Sequence, residues 1–164
     1  ELVEVYTATG NEEFPQSVFS YPDYVDLRDN NEVFSGVAAY ALGVASLRHA
    51  DDAPKTVVAE IVSANFFDVM GVEPHLGRAF SAEEGMTEGT HPLIVLGYGF
   101  WTAQLGADPE IVGQDLFINT TRYTVIGVAP ASYTGMFPAM TPHVWLPMMM
   151  TEELSTIGDR KSVV

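Results

Sequence analysis

The longest run free of Asp, Glu, Lys and Arg, residues 123–151, is broken by Pro130, Pro138, Pro142 and Pro147. A proline inside a helix removes a backbone hydrogen bond and clashes with the preceding turn. A continuous membrane-spanning helix is therefore impossible where the chain is most apolar. The other two uncharged stretches fail for different reasons. Residues 33–47 fall short of the roughly 20 residues that a spanning helix needs. Residues 89–107 hold His91, Pro92, Gln104 and four glycines. All three stretches are expected to form buried strands and apolar loops. With 164 residues, 47% of them hydrophobic, the chain carries enough apolar material for one real core.

Charge narrows the range of partners. The chain has 22 acidic against 7 basic residues, a net charge of −15. Phosphate contacts need clustered Lys and Arg, so nucleic acid is not an expected partner. Docking on an anionic lipid surface is disfavoured for the same reason. The acids are dispersed in pairs such as Glu12–Glu13, Asp51–Asp52, Glu83–Glu84 and Glu152–Glu153. That pattern reads first as a solvated surface, and second as a match to a basic partner or a salty habitat. The absence of cysteine removes disulfides, thiolate zinc sites and cysteine nucleophiles. Glu1-Leu2-Val3-Glu4 has neither the basic nor the apolar region of a signal peptide, so a targeting segment for an exported domain is expected outside this chain.

Periodicity then places the elements. Alternation over Leu2–Thr7 predicts a strand, followed by a polar loop over 10–16. Ser20-Tyr21-Pro22-Asp23 opens a helix to about Asn31, with Ser20 as N-cap and Asp23 closing a capping box. Val37–Leu47 predicts one strand, or two broken at Gly43, with a turn over His49–Pro54. Lys55–Ser63 predicts a strand with Val57, Ala59 and Ile61 on one face and Val58, Glu60 and Val62 on the other. Asn65–Met70 gives one or two helical turns ended by Gly71. Ser81-Ala82-Glu83-Glu84 is a second capping box, and Leu93–Leu96 is a short strand. Tyr98–Leu105 predicts a helix closed by Gly106. Leu116–Ile118 and Arg122–Val128 predict a hairpin around Asn119-Thr120-Thr121, and Val144–Leu146 a last strand. The tail, Thr151–Val164, has no clear pattern. The mixture lacks a regular βαβα alternation and predicts an α+β fold with a mixed sheet and short helices.

Neither Lys55 nor Lys161 follows a phosphate-binding glycine loop. No Gly-x-Ser-x-Gly elbow, His-Glu-x-x-His pair or Asp-x-Asp-x-Asp-Gly calcium loop occurs. His49, His75, His91 and His143 are far apart in sequence. No catalytic residue, metal or cofactor is expected. Asn119-Thr120-Thr121 matches a glycosylation sequon, which short sequences meet by chance. Met136, Met140 and Met148–Met150 cluster in or beside the proline-rich loop 129–142. Methionine commonly fills irregular core gaps, and equally makes adaptable contact surfaces. Tyr133, Met136, Phe137 and Met140 are thus the candidate contacts for a hydrophobic ligand or partner, while Trp101 and Trp145 are expected core anchors.

Several phrases in order resemble one family. Ser20-Tyr21-Pro22-Asp23-Tyr24 with Leu27-Arg28 and Val33-Phe34-Ser35-Gly36 is similar to the opening of the MacB-like periplasmic core domain. Val62-Ser63-Ala64-Asn65-Phe66-Phe67, Gly71-Val72 and Leu76-Gly77-Arg78-Ala79-Phe80 follow. Then come His91-Pro92-Leu93-Ile94-Val95-Leu96, Gly99-Phe100-Trp101, Asp108-Pro109 and Val112-Gly113. Tyr123–Pro130 and Val144-Trp145-Leu146-Pro147 close the set. The resemblance covers about residues 2 to 150 and is closest to ABC transporter permeases in which this domain precedes FtsX-like membrane helices.

The resemblance implies an extracytoplasmic domain set between the first and second membrane helices of a bacterial inner-membrane permease. It implies two lobes: a porter-like βαβ lobe over about 1–63 and 136–164, and a smaller sabre-like lobe over about 64–135. Family members continue with a further strand–helix unit, and nothing after Glu153 resembles it. The implied partners are the membrane helices of the parent permease, a cytoplasmic ATPase subunit acting indirectly, a periplasmic adaptor and a second copy in a dimeric transporter. The implied role is non-catalytic coupling of ATP-driven helix movement to export or signalling. A ligand- or peptide-binding sensor is the alternative. A hydrolase with carboxylates converging from distant segments is the remote third reading.

Overall fold

The computed structural model describes residues 3–5, 7–8, 16–17, 21–137 and 139–150. Its elements in chain order are β1 (Thr7–Ala8), β2 (Gln16–Ser17), α1 (Tyr21–Asp29), β3 (Tyr40–His49), β4 (Lys55–Val62), α2 (Phe66–Met70), β5 (Leu76–Gly77), β6 (Leu93–Leu96), α3 (Tyr98–Gln104), β7 (Asp115–Ile118), β8 (Thr121–Val128) and β9 (Val144–Pro147). Short 3-10 turns occupy Ala82–Gly85 and Met148–Met150. No helix among the described residues is long and apolar enough to cross a membrane. The Ser20 cap and the tail lie outside the described residues.

The main sheet runs β8-β6-β9-β4-β3-β7, and β7 returns to pair with β8, closing a ring. It is a mixed sheet: β4–β9 and β6–β8 are parallel, and the other pairs in the ring are antiparallel. β5 extends the same side of β8 beyond the end of β7. The ring consists of two arcs. One, β9-β4-β3, comes from residues 40–62 and 144–147, and the other, β7-β8-β6, comes from residues 93–128. Their seams are short: Leu47 to His49 against Leu116 to Ile118, and Val95 and Leu96 against Trp145 and Val144. The interval 64–135 thus contributes half of a shared ring.

Period-2 alternation decides what fills that ring. Leu47, Val57, Ala59, Ile61, Ile94, Leu96, Leu116, Ile118, Tyr123, Val125, Val144 and Leu146 make one core, as side chains fill the interior of a small barrel. Tyr24 of α1, Phe100 and Trp101 of α3, and Met148 and Met150 pack into the same core. The opposite strand faces carry a second core. Tyr40, Val62, Val95, Ile126 and Trp145 meet Phe66 and Phe67 of α2 and Phe80.

Most local signals act as expected. Gly71 takes the left-handed conformation at φ 64° and ends α2, and Glu84 completes the capping box with Ser81. The β7–β8 turn places Asn119 at φ 54°, where its amide oxygen accepts from Ser46 N at 3.1 Å. The sequon asparagine is therefore a turn residue bonded to β3. Of the two readings of Val37–Leu47, the single strand holds: β3 is continuous through Gly43, which faces Ala59 in the β3–β4 ladder, although it spans Tyr40–His49. The ladder with β4 overrides the weak break that a lone glycine imposes. The strand expected over Leu2–Thr7 is corrected: among the described residues Val3–Val5 is not in a strand, and Thr7–Ala8 pairs with Gln16–Ser17. The methionines do not form one group, since Met136 joins the second core and Met148 and Met150 the first.

Candidate contact surface

The loop over 129–142 crosses the second core and is tied to it at several points. It leaves the sheet with Ala129 N donating to Leu96 O at 2.8 Å, and turns as Tyr133 N donates to Pro130 O at 3.0 Å. It rejoins at His143, whose N donates to Val58 O at 2.8 Å. His143 Nδ1 accepts from Val58 N at 2.8 Å, which fixes this imidazole as an acceptor against β4. Between these ends Gly135 sits at φ 83°, and a Cβ there would lie 2.6 Å from the Pro142 ring. Only glycine meets both demands at this position.

Beneath the loop is a carboxylate on β4. Glu60 is fully buried. Its Oε1 accepts from Met136 N at 2.9 Å and its Oε2 from Trp145 Nε1 at 2.5 Å. Burial raises its pKa above the ordinary 4.5, and the two donors only partly counter that. The Tyr133 ring stacks on Trp145 with centroids 5.7 Å apart at 28°. The Tyr133 hydroxyl finds no hydrogen-bond partner among the described residues. Burial, and secondly the Glu60 charge, push its pKa up. Phe137 meets the edge of Tyr40 at 5.5 Å.

The candidate contacts therefore divide. Tyr133, Met136 and Phe137 are half-buried and pack on the second core, whereas Met140 is 45% exposed. Sequence reasoning missed Glu60. The available signal was a lone acid inside the apolar run Val57–Val62.

Met136 also lines a groove of about 410 Å³ whose surface is polar and apolar in nearly equal parts. The groove runs between Val3–Val5, the 33–38 loop, Tyr24 and Leu27 of α1, and Val69 and Met70 of α2. Glu4, hydrogen-bonded to Tyr40, is the one charged side chain in its lining among the described residues. Val33 is 84% exposed and Phe34 38%.

The polar residues weighed for chemistry are scattered. His75 packs on Tyr98 and Trp101, His143 on Phe100, and His91 lies beside Thr90. No group of three or more metal-ligating side chains converges among the described residues. Glu84 is held by Arg78 at 2.7 Å and by Ser81 N at 2.7 Å, which is structural bonding. Asp51 and Asp52 are exposed in the β3–β4 turn.

No curated protein sequence matches the chain. Among solved structures it is similar to the periplasmic region of MacB from Actinobacillus actinomycetemcomitans. That match has 16% identity and a TM-score of 0.70, covering 96% of this chain and 69% of the other. It is also similar to the extracellular domain of the noncanonic ABC-type transporter YknZ from Gram-positive bacteria. Here identity is 16% and the TM-score 0.68, covering 94% of this chain and 74% of the other. At these identities the likeness is one of fold. The family model for the MacB-like periplasmic core domain matches residues 2–163, and the chain belongs to that family.

Proposed function

We propose that this chain is the non-catalytic, extracytoplasmic module of an ABC transporter permease. In this reading ATP is hydrolysed on a separate cytoplasmic subunit, the membrane helices move, and the module carries that movement to export or signalling outside the membrane. It acts as a rigid body shifting between two arrangements. The family match across residues 2–163 is the observation that carries the reading. The lobes implied by the family correspond, in this proposal, to the two arcs of the ring: β9-β4-β3 to the porter-like part and β7-β8-β6 to the sabre-like part. A periplasmic adaptor and a dimeric transporter complete the proposed assembly, with Tyr133, Met136, Phe137 and Met140 as the contact residues.

Reporter fusions to the parent open reading frame test this. The expected result is one membrane helix before this domain, about three after it, and the domain itself outside the cytoplasm. A parent gene with no flanking membrane segment would overturn the proposal.

A second reading, an extracytoplasmic peptide sensor, is favoured by the groove of mixed polarity that Met136 shares with the 33–38 loop. Titration with hydrophobic peptides or lipoprotein fragments discriminates. Saturable binding lost in Met136→Ala supports the sensor, and absence of saturable binding removes it.

A further inference from the structure

Strand β3 is paired along one side and only at its end on the other. β4 pairs with it from Tyr40 to Leu47, whereas β7 reaches only Leu47, Arg48 and His49. In an antiparallel ladder each residue turns its N–H and C=O to the same side, and successive residues turn them to opposite sides. Asn119 N donates to Ser46 O at 2.7 Å, and Ser46 N donates to the Asn119 amide oxygen at 3.1 Å, so Ser46 faces away from β4. At the other end Ser63 N donates to Ala39 O at 2.9 Å, so Ala39 faces the β4 side. Both bonds set the even-numbered residues outward. Leu42 and Val44 therefore direct two N–H and two C=O groups away from β4, and no described residue bonds them there.

Sheet edges are commonly guarded by a lysine, a proline or a bulge. Residues 38–47 contain no charged residue and no proline, and the ladder with β4 runs without a register shift. The Val44 side chain is 52% exposed, so solvent reaches this edge. The edge of β5 differs, for that strand has two residues and is followed at once by Arg78.

We propose that this edge of β3 is a strand-addition site for an extended, basic peptide segment of another protein. Backbone pairing with Leu42 and Val44 supplies the attachment, and side chains supply the choice. An added strand sets its side chains alternately on two faces. On one face they meet Leu42 and Val44, and on the other they meet Ala41, Gly43 and Ala45, which are small and accommodate larger guest side chains. Charge selects the occupant. The chain carries −15, so a basic segment is attracted, and an acidic segment or a second copy is repelled. Leu42, Gly43 and Val44 take no part in the groove that Met136 lines. The edge and the groove can therefore fail separately.

The experiment titrates the chain with a short peptide of alternating valine and lysine, read by amide NMR shifts and hydrogen exchange. At saturation the Leu42 and Val44 amides are expected to gain about tenfold in protection, the equivalent of one net hydrogen bond each. The Gly43 amide, on the β4 side of the ladder, should not change. A valine–glutamate counterpart should bind about tenfold more weakly. The valine–lysine peptide N-methylated at every residue should not bind, because it has no N–H to donate. Val44→Pro removes one outward N–H and takes no bond from the β4 ladder, and should weaken binding about tenfold. Should that variant not fold, Val44→Lys, which alters only an exposed side chain, should weaken binding by placing a like charge on the edge. Met136→Ala should leave this binding unchanged. Unchanged Leu42 and Val44 amides, equal binding of the N-methylated peptide, or binding unaffected by both Val44 substitutions would each overturn the proposal. Self-association without peptide that Val44→Pro abolishes would give the edge to a second copy and overturn it too.

Discussion

Trp145→Phe isolates the physics of the second core. Trp145 is fully buried, donates its indole N–H to Glu60 at 2.5 Å, stacks on Tyr133 and meets the edge of Phe67 at 5.7 Å. Phenylalanine keeps a ring but loses the donor and part of the volume. A hydrogen bond to a charged group contributes ~1.5–3 kcal/mol. The smaller ring and lost stacking cost a further ~1–2 kcal/mol. The expected destabilisation at neutral pH is therefore ~2.5–5 kcal/mol, measured by urea unfolding, or a fall in Tm of about 10 °C for a domain of this size. The pH dependence is the sharper test. Once Glu60 is protonated it needs fewer donors, so the penalty shrinks by ~1 kcal/mol or more in acid. A penalty below ~1 kcal/mol, or one identical at pH 4 and pH 8, would refute the reasoning.

Gly127→Ala places a Cβ 2.3 Å from Arg78 O, where β8 passes β5, and should cost ~1–3 kcal/mol or more in urea unfolding. Ile94→Ala, at a fully buried ring position, should cost ~2–5 kcal/mol by the same assay. Glu84 is pushed up by burial, but Arg78 and the Ser81 N–H outweigh this and hold it below the ordinary range. Its stabilisation is therefore present above about 4.5 and lost as pH falls through the folded value, opposite in sign to Glu60, and Glu84→Gln should flatten the acid limb of a Tm-against-pH curve.

Local order was legible because it is written locally. Gly71 closes α2 and Ser81–Glu84 caps a turn for reasons contained within a few residues. The faces of β4 were also readable, since alternation alone assigns Val57, Ala59 and Ile61 to one side. What alternation cannot say is what covers the other side. Glu60 is covered by the loop carrying Met136, which lies 76 positions away, and Gly43 is held in strand by a ladder with β4 that no local signal announces. The contact residues were found by composition, yet their half-burial depends on Trp145 and Tyr40 coming to lie beneath them. Ring closure is of the same kind, for β7 meets β3 only through chain folding.

That closure also governs how such a domain can be recognised. An open sheet offers an incoming chain a row of unpaired backbone groups, and proteins must guard that edge against aggregation and unwanted strand addition. Here β7 returns to β8, and each strand of the ring has a ladder partner on both sides over part of its length. Among the described residues the edges outside these ladders are the outer side of β5, the small β1–β2 pair and the part of β3 before Leu47 on the side away from β4. Strand addition is confined to these edges, and elsewhere a partner reads side chains carried on connections. Substitutions in those connections can change the partner while the hoop beneath them keeps its hydrogen bonds.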